Sequence, residues 1–132
     1  MAGDISKRIL IVDDDPSFIK CLGNLLRKDG YEVVSSENGP AGIDAFQAAM
    51  AGGKPFDAVI TDFGMRIMDG REVAANIKNV SPATPVILLT GWGQWLKDLH
   101  GSPLAVDEIL NKPPMLAELR ETLARCFKSS PS

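Results

Sequence analysis

The chain has 132 residues, 45% of them hydrophobic, and a formal net charge of −3 at pH 7. This length fits one domain, and the composition is that of a globular rather than a disordered chain. The mild acidity argues against direct nucleic-acid binding, which needs a clustered basic face. No apolar run approaches the ~20 residues of a membrane span, and the run Ile9 to Val12 is too short for a signal peptide. We therefore expect a cytoplasmic protein without membrane contact.

Short apolar runs alternate with stretches of helical periodicity, and each strand is followed by a helix. The alternation predicts an α/β domain at residues 7–128, with flexible termini at 1–6 and 129–132. Five strands and five helices are predicted. The strands are predicted at 9–12, 31–35, 56–61, 86–89 and 105–110.

Strand composition predicts the order of the strands in the sheet. The runs at 9–12, 58–60 and 86–89 are apolar throughout, as parallel strands covered on both faces should be. The second and fifth strands carry charged or hydroxyl side chains, which suits the edges of a sheet. We therefore predict a single doubly wound five-stranded parallel sheet in the order 2-1-3-4-5. Ligands of such folds bind beyond the carboxyl ends of the strands, here between the first and third strands.

Local signals predict several helix ends. Asp15 followed by Pro16 fits an N-cap and the first position of a helix, and Gly30 fits the end of that helix. Asp69 and the glycine after it are read as a turn before the third helix. Pro114 can open the last helix.

The apolar positions of the helices predict which side chains face the core. These positions include Phe18 in the first helix, Met50 in the second, Val80 in the third, and Trp92 with Trp95 in the fourth. The two cysteines, Cys21 and Cys126, form neither a disulfide framework nor a zinc-binding pattern, and we expect both in or near the core.

Polar side chains stand at the ends of four predicted strands. Asp13 and Asp14 follow the first strand, Asp62 the third, Thr90 the fourth and Lys112 the fifth. Because the carboxyl ends of parallel strands share one edge, we expect these side chains to converge on one pocket. Three carboxylates at such short distances repel each other unless one of them takes up a proton or a cation binds between them. Oxygen ligands with room for water favour Mg²⁺.

This set of groups suits phosphoryl transfer. Mg²⁺, Lys112 and the Thr90 hydroxyl could hold an anion together, and phosphoryl transfer depends mainly on positioning and charge neutralisation. A carboxylate can also act as the nucleophile and become an aspartyl-phosphate. Asp62 is the candidate, because it stands alone at the end of a central strand while Asp13 and Asp14 pair as metal holders.

At these residues the sequence resembles the receiver domains of two-component response regulators, from about residue 7 to residue 127. The resemblance implies a flavodoxin-like fold and a signalling domain that promotes its own phosphorylation and dephosphorylation, rather than an enzyme. Four pieces in order carry it: Ile11-Val12-Asp13-Asp14, Asp62 with Met65-Arg66-Ile67-Met68-Asp69-Gly70, Leu89-Thr90, and Lys112-Pro113.

The resemblance implies a phosphoacceptor and a metal site. Asp62 would take a phosphoryl group from the phosphohistidine of a sensor histidine kinase or a phosphotransfer protein. Asp14 would ligate Mg²⁺ directly, and Asp13 would act mostly through water. The backbone carbonyl of Gly64 would supply a further ligand, and Asp62 itself would complete the metal set.

The resemblance also implies a switch. Lys112 would bind a phosphoryl oxygen, and its peptide bond to Pro113 would be cis. Thr90 would be the hydroxyl that moves toward the phosphoryl group. Phosphorylation would then change the surface of the fourth strand, fourth helix and fifth strand. The fourth helix, fifth strand and fifth helix would also be a possible homodimer interface.

Two alternatives stay open, one from departures from the family pattern and one from the similarity of Asp13-Asp14-Asp15-Pro16-Ser17 to a phosphatase motif. Arg66 stands where the family usually has proline and Ile109 where it often has an aromatic residue, so a pseudo-receiver that only binds partners is one alternative. The other is a haloacid-dehalogenase-like phosphatase with Asp13 as nucleophile and Asp15 as acid. The phosphatase reading leaves Asp62 unexplained.

Overall fold

Strands and helices alternate along the chain in the computed structural model, which describes residues 6–91 and 106–128. The fourth predicted helix, with Trp92 and Trp95, lies outside these residues, as do residues 1–5 and 129–132 of the predicted termini. The described elements are β1 (Arg8–Val12), α1 (Pro16–Lys28), β2 (Glu32–Ser36), α2 (Gly39–Ala51), β3 (Ala58–Asp62), α3 (Gly70–Val80), β4 (Val86–Thr90), β5 (Glu108–Asn111) and α4 (Leu116–Lys128).

All five strands form one parallel sheet in the order β2-β1-β3-β4-β5. This order confirms the prediction made from strand composition, with β2 and β5 at the edges. Asp62 of β3 pairs with Leu89 of β4, and Thr90 of β4 pairs with Asn111 of β5. The register therefore brings the carboxyl ends of neighbouring strands to a common edge.

The sheet is buried on both faces because successive side chains of a strand point to opposite sides. Ile9 and Ile11 of β1 belong to the core cluster that includes residues of α1 and α4. Leu10 and Val12 belong to the cluster that includes residues of α2 and α3. Two apolar clusters of this kind explain why the runs at 9–12, 58–60 and 86–89, which form most of β1, β3 and β4, are apolar.

The predicted helix ends are largely confirmed. Asp15 caps α1 and Pro16 is its first residue, while Gly30 has a φ of 98°, the left-handed region that glycine tolerates best. Asp69 caps α3 in a reciprocal pair with Glu72. The prediction for Pro114 is wrong, since α4 begins two residues later at Leu116.

The predicted start of the fifth strand is also wrong. β5 begins at Glu108 and extends to Asn111, whereas residues 106 and 107 are not in the strand. The Asp107 side chain accepts hydrogen bonds of 2.7 Å from the Val86 backbone N–H and the Lys78 ammonium. This carboxylate therefore satisfies the first amide of β4 before the backbone ladder to β5 begins.

Three apolar positions are more exposed than their sequence spacing predicts. Cys21 is exposed, whereas Cys126 is buried as predicted. Met50 and Val80 are 39% and 40% exposed. The three lie at the margins or ends of amphipathic helices, where the apolar stripe turns toward solvent.

Among the described residues, no helix is long and apolar enough to span a bilayer.

Candidate functional site

The loop between β1 and α1 presents one buried and one exposed carboxylate. Asp13 is only 1% exposed, and its backbone N–H donates to the Ser36 carbonyl at 3.1 Å. Its Oδ1 atom accepts a 2.9 Å hydrogen bond from the Asp15 backbone N–H. Asp14, the next residue, is exposed. The loop thus fixes Asp13 through its backbone and leaves Asp14 at the rim.

Asp62 adds a third carboxylate at the end of β3. It is 7% exposed, and β3 lies beside β1 in the sheet. One oxygen each from Asp13, Asp14 and Asp62 fits within 4.8 Å of the others. The predicted convergence of the three acids is therefore observed.

Lys112 brings a cation to the same cluster from the end of β5. Its Nζ lies 2.9 Å from Asp13 Oδ2 and 3.4 Å from Asp62 Oδ2. The lysine side chain is 23% exposed, and its peptide bond to Pro113 is cis, as the family resemblance implied. The ammonium therefore bridges the two buried acids.

The charges of the cluster are strongly coupled. Burial raises the pKa of Asp62, and the neighbouring Asp13 carboxylate raises it further despite the opposing effect of Lys112. Burial by itself would lower the pKa of Lys112, but its contacts with Asp13 and Asp62 outweigh burial and raise that pKa. Within residues 6–91 and 106–128, one ammonium faces three carboxylates, so this part of the pocket carries more negative than positive charge.

The donor set suits a hard divalent cation. Asp13 Oδ2 is buried and makes no hydrogen bond within the described part of the chain, although Lys112 Nζ lies 2.9 Å away. This ammonium offsets only part of the charge of the three neighbouring carboxylates, so a further cation would be favourable here. Carboxylate oxygens are the ligands that Mg²⁺ prefers, so the residues present fit such an ion.

Thr90 and Gly64 occupy the remaining predicted positions. Thr90 ends β4 and is 3% exposed; it follows Leu89, the residue paired with Asp62. The register thus places Thr90 at the edge that carries the acids. Gly64 is exposed in the loop after β3, and a Cβ there would meet nothing within 4 Å. No described contact joins Gly64 to the acid cluster.

The loop after Asp62 is tightly packed at its end and exposed at its centre. A Cβ at Gly70 would lie 2.4 Å from the Asp62 carbonyl oxygen and 2.6 Å from Leu88 Cδ1. Only glycine therefore lets α3 approach β3 this closely. Ile67 has a φ of 71° and is 84% exposed, and Arg66 is also exposed. The sequence gives no signal for the left-handed conformation of Ile67, because β-branched residues disfavour it.

Asp15 has a different role from the other acids. Its Oδ1 accepts the backbone N–H groups of Ser17 and Phe18 at 3.0 and 3.3 Å, and it is not part of the carboxylate cluster found among the described residues. A helix cap is not a positioned general acid, so the phosphatase alternative loses the residue it requires.

Phe18 is a residue of the site that sequence reasoning missed. Lys112 Nζ lies 4.8 Å from the centroid of its ring. Periodicity predicts that Phe18 is on the core face of the first helix, and it does pack against the core. Its place in the first turn after the acidic loop is the sequence feature that indicates a contact with the pocket, since that turn begins at the pocket edge.

Comparison with known proteins agrees with this geometry. The model of the response regulator receiver domain matches residues 9–124. The transcriptional regulatory protein GlrR of Escherichia coli strain K12 is 37% identical over 105 residues, which are 80% of this chain and 22% of GlrR. TcrA of Mycobacterium tuberculosis is 32% identical over 94% of this chain and 47% of its own length. The chain thus spans between a fifth and a half of these curated relatives.

Solved structures give the same result at the level of the fold. The chemotaxis protein CheY4 of Vibrio cholerae has a TM-score of 0.81 at 28% identity, over 92% of this chain and 99% of that one. The response regulator TrrA of Thermotoga maritima, solved in complex with Mg(2+)-BeF, has a TM-score of 0.76 at 35% identity, over 91% of this chain and 98% of that one. The chain therefore belongs to the response regulator receiver domains of two-component signalling systems.

Proposed function

We propose that this domain accepts a phosphoryl group on Asp62 from the phosphohistidine of a sensor histidine kinase or a phosphotransfer protein. The observation that carries the proposal is the Lys112 ammonium between Asp13 and Asp62 in a cluster of three carboxylates. An oxygen of Asp62 attacks phosphorus, a P–O bond forms, and the P–N bond to histidine breaks with its electron pair returning to the imidazole. Such a transfer needs positioning and charge neutralisation more than covalent chemistry from other residues.

Four groups would hold Mg²⁺ in this proposal: the carboxylates of Asp13, Asp14 and Asp62 and the backbone carbonyl of Gly64. When bound, the ion neutralises charge on the transferring phosphoryl group. The cluster supports this assignment, because three carboxylates lie together among the described residues and the Lys112 ammonium offsets only part of their charge. The Mg(2+)-BeF complex of TrrA, 35% identical to this chain, supports it independently.

Lys112 and Thr90 would read the phosphorylated state. Lys112 and the Thr90 hydroxyl would each donate a hydrogen bond to a phosphoryl oxygen at the carboxyl edge. Contacts of Lys112 and Thr90 with the phosphoryl group would favour one arrangement of β4, β5 and the fourth predicted helix. The altered surface then serves a partner or a second copy of the chain, through that helix, β5 and α4.

The domain would act as a signalling module and not as an enzyme on a separate substrate. Its phosphoryl group stays on Asp62 until water removes it, so one domain is modified once per signal. The relatives include transcriptional regulatory proteins. The chain covers 22% of the length of GlrR and 47% of the length of TcrA. The absence of direct nucleic-acid binding therefore remains a prediction for this domain alone.

Labelling by a small phosphodonor tests the proposal directly. Acetyl phosphate with Mg²⁺ should label the wild type, and Asp62→Asn should abolish the label, because an amide cannot form the acyl phosphate. Intact-mass analysis would count the added phosphoryl groups.

Asp15→Asn is the matched control. Asparagine also caps helices, so this variant should fold and label like the wild type. Labelling of Asp62→Asn at the wild-type level would refute the phosphoacceptor. Loss of labelling in Asp15→Asn, with turnover of a phosphate ester by the wild type, would favour the phosphatase instead. A wild type that takes up neither phosphoryl nor beryllofluoride would be a pseudo-receiver.

A further inference from the structure

Phe18 lies in the first turn of α1 with its ring against the ammonium of Lys112. The ammonium is 4.8 Å from the ring centroid, 2.9 Å from Asp13 Oδ2 and 3.4 Å from Asp62 Oδ2. An ammonium has three N–H donors and is strongly hydrated in water. In this pocket two carboxylates and one aromatic ring replace much of that hydration.

The acidic loop fixes the backbone of the helix turn that carries the ring. Asp15 accepts the Phe18 backbone N–H at 3.3 Å, and the Asp15 backbone N–H donates to Asp13 at 2.9 Å. The carboxylate that binds Lys112 and the ring that faces it thus belong to one hydrogen-bonded loop and helix start.

The segment after Lys112 limits the ring from another direction. Phe18 lines an apolar cleft of about 150 Å³ together with Pro113 and Pro114, the two residues that follow the lysine. The ring also packs against the core cluster under α1. Phe18 therefore contacts the lysine from a site that the core holds in place.

We propose that Phe18 is a positioning residue for Lys112, whose ring holds the ammonium against the carboxylates where a phosphoryl group on Asp62 would meet it. This inference rests on the proposed function. The negative face of an aromatic ring attracts a cation, and an aliphatic side chain of similar size does not. Without the ring, a flexible lysine would leave the pocket for water more often.

The proposal predicts opposite effects on an anion and on a cation. A lysine held in the pocket favours the phosphoryl group, because it supplies positive charge at the transfer site. The same lysine disfavours Mg²⁺, because it repels a divalent cation from Asp13 and Asp62. Loosening the lysine should therefore slow phosphorylation and tighten Mg²⁺ binding, whereas general damage to the pocket would weaken both.

The first experiment compares phosphorylation rates with acetyl phosphate. Phe18→Leu should be slower than the wild type by about two- to fivefold, the range expected for a partly exposed cation–π contact. Phe18→Tyr keeps the ring face and should retain the wild-type rate. Phe127→Leu is the matched control, since it removes the Lys7–Phe127 contact of 5.6 Å, and it should not change the rate. Equal rates for Phe18→Leu and the wild type would overturn the inference.

The second experiment measures Mg²⁺ affinity by calorimetric titration without any phosphodonor. Phe18→Leu should tighten Mg²⁺ binding when Lys112 is present and should change nothing in a Lys112→Ala background, because the ring acts only through the lysine. Weaker Mg²⁺ binding in Phe18→Leu, or an equal effect in both backgrounds, would show a purely structural role and refute positioning. A wild type that is never labelled would refute the proposed function, while this titration would still decide the contact.

Discussion

Asp62 combines burial with a like-charged neighbour, and this combination has a cost for the folded protein. Burial and then the Asp13 carboxylate raise its pKa. A raised pKa means that the folded state binds this proton more tightly than the unfolded state does. Binding of this proton adds to the free energy of unfolding. That contribution is fully present below about pH 3.9, the ordinary pKa of aspartate, and is lost as the pH rises through the raised pKa of Asp62. At neutral pH the ionised acid therefore destabilises the fold.

Asp62→Asn should consequently raise the thermal stability of the metal-free protein at pH 7. We expect a gain of about 1 kcal/mol, which corresponds to a melting temperature higher by a few degrees for a domain of this size. The gain should disappear near pH 3, where the wild-type carboxyl is protonated as well. Differential scanning calorimetry at both pH values checks this sign. A variant less stable than the wild type at pH 7 would contradict the electrostatic account.

The residues at strand ends could be predicted because their position follows from the topology alone. Asp13, Asp62 and Lys112 end or follow strands that share one edge, so their meeting required only the strand order. Phe18 could not be assigned in this way, since its contact with Lys112 depends on the direction of a helix start. The prediction that Cys21 is in or near the core is wrong, because this residue lies beside the apolar stripe of α1 rather than within it.

At the scale of elements, α3 is packed directly against the end of β3. Gly70 begins α3, and a Cβ at this position would collide with the Asp62 carbonyl oxygen and the Leu88 side chain. A side chain at this position must push the helix away from the strand that carries the phosphoacceptor.

Gly70→Ala should therefore destabilise the domain by about 1–3 kcal/mol, the usual range for overpacking, and should also slow labelling of Asp62. Urea unfolding measures the first effect. Gly23→Ala in α1 is the control, because its Cβ meets mainly the flexible end of Arg27 at 3.2 Å. There we expect no loss and up to about 1 kcal/mol of gain in helix stability. Equal stability of the two variants would argue against a close helix contact at Gly70.

The start of β5 depends on a side chain and not on strand propensity. Asp107 accepts from the Val86 N–H and from Lys78, which also donates to the Thr84 carbonyl at 2.8 Å. The spacing of apolar residues cannot show that a side-chain carboxylate, rather than a backbone carbonyl, accepts the hydrogen bond of the Val86 amide. The predicted strand consequently began too early, although its existence and edge position were confirmed.

Asp107→Ala should cost about 1–3 kcal/mol, because it leaves the Val86 amide without its acceptor. Asp107→Asn keeps an acceptor oxygen and should recover part of this loss. Glu32→Gln serves for comparison, since it breaks only the ion pair with Arg8, in which the Glu32 side chain is 56% exposed, and exposed pairs contribute at most about 1 kcal/mol. Chemical denaturation of the three variants ranks these contributions. The interpretation fails if Asp107→Ala costs no more than Glu32→Gln.

At the scale of the whole molecule, the strand order could be predicted because three predicted strands contain an unbroken apolar run, at 9–12, 58–60 and 86–89, whereas the second and fifth carry polar residues along their length. The ionisable cluster lies at the carboxyl edge of the sheet, and an apolar cluster packs against each face of the sheet. The free energy that these apolar clusters contribute to folding offsets the repulsion among the acids. Ligands that relieve the repulsion should stabilise the entire fold.

Magnesium should raise the melting temperature of the wild type in a concentration-dependent manner. At a concentration one hundred times the dissociation constant, the linkage amounts to about 2.7 kcal/mol. Asp14→Asn should reduce this stabilisation, whereas Asp44→Asn, at an exposed position of α2, should retain it. A thermal shift series with Mg²⁺ distinguishes the variants. Identical Mg²⁺ responses of Asp14→Asn and Asp44→Asn would exclude Asp14 from the site.

Because β5 is an edge strand, the Lys112 ammonium that follows it and the acids of the central strands should differ in how often local opening displaces them. Asp13 and Asp62 follow or end strands with a neighbour on each side, while β5 pairs with β4 alone among the strands that the structure describes. Backbone amides of β1 and β3 should exchange with deuterated solvent only through global opening, and those of β5 through smaller local openings. If β5 opens locally, Asp13 and Asp62 stay in place while Lys112 leaves the pocket. The protein would then still bind a divalent cation but would no longer bind an anion.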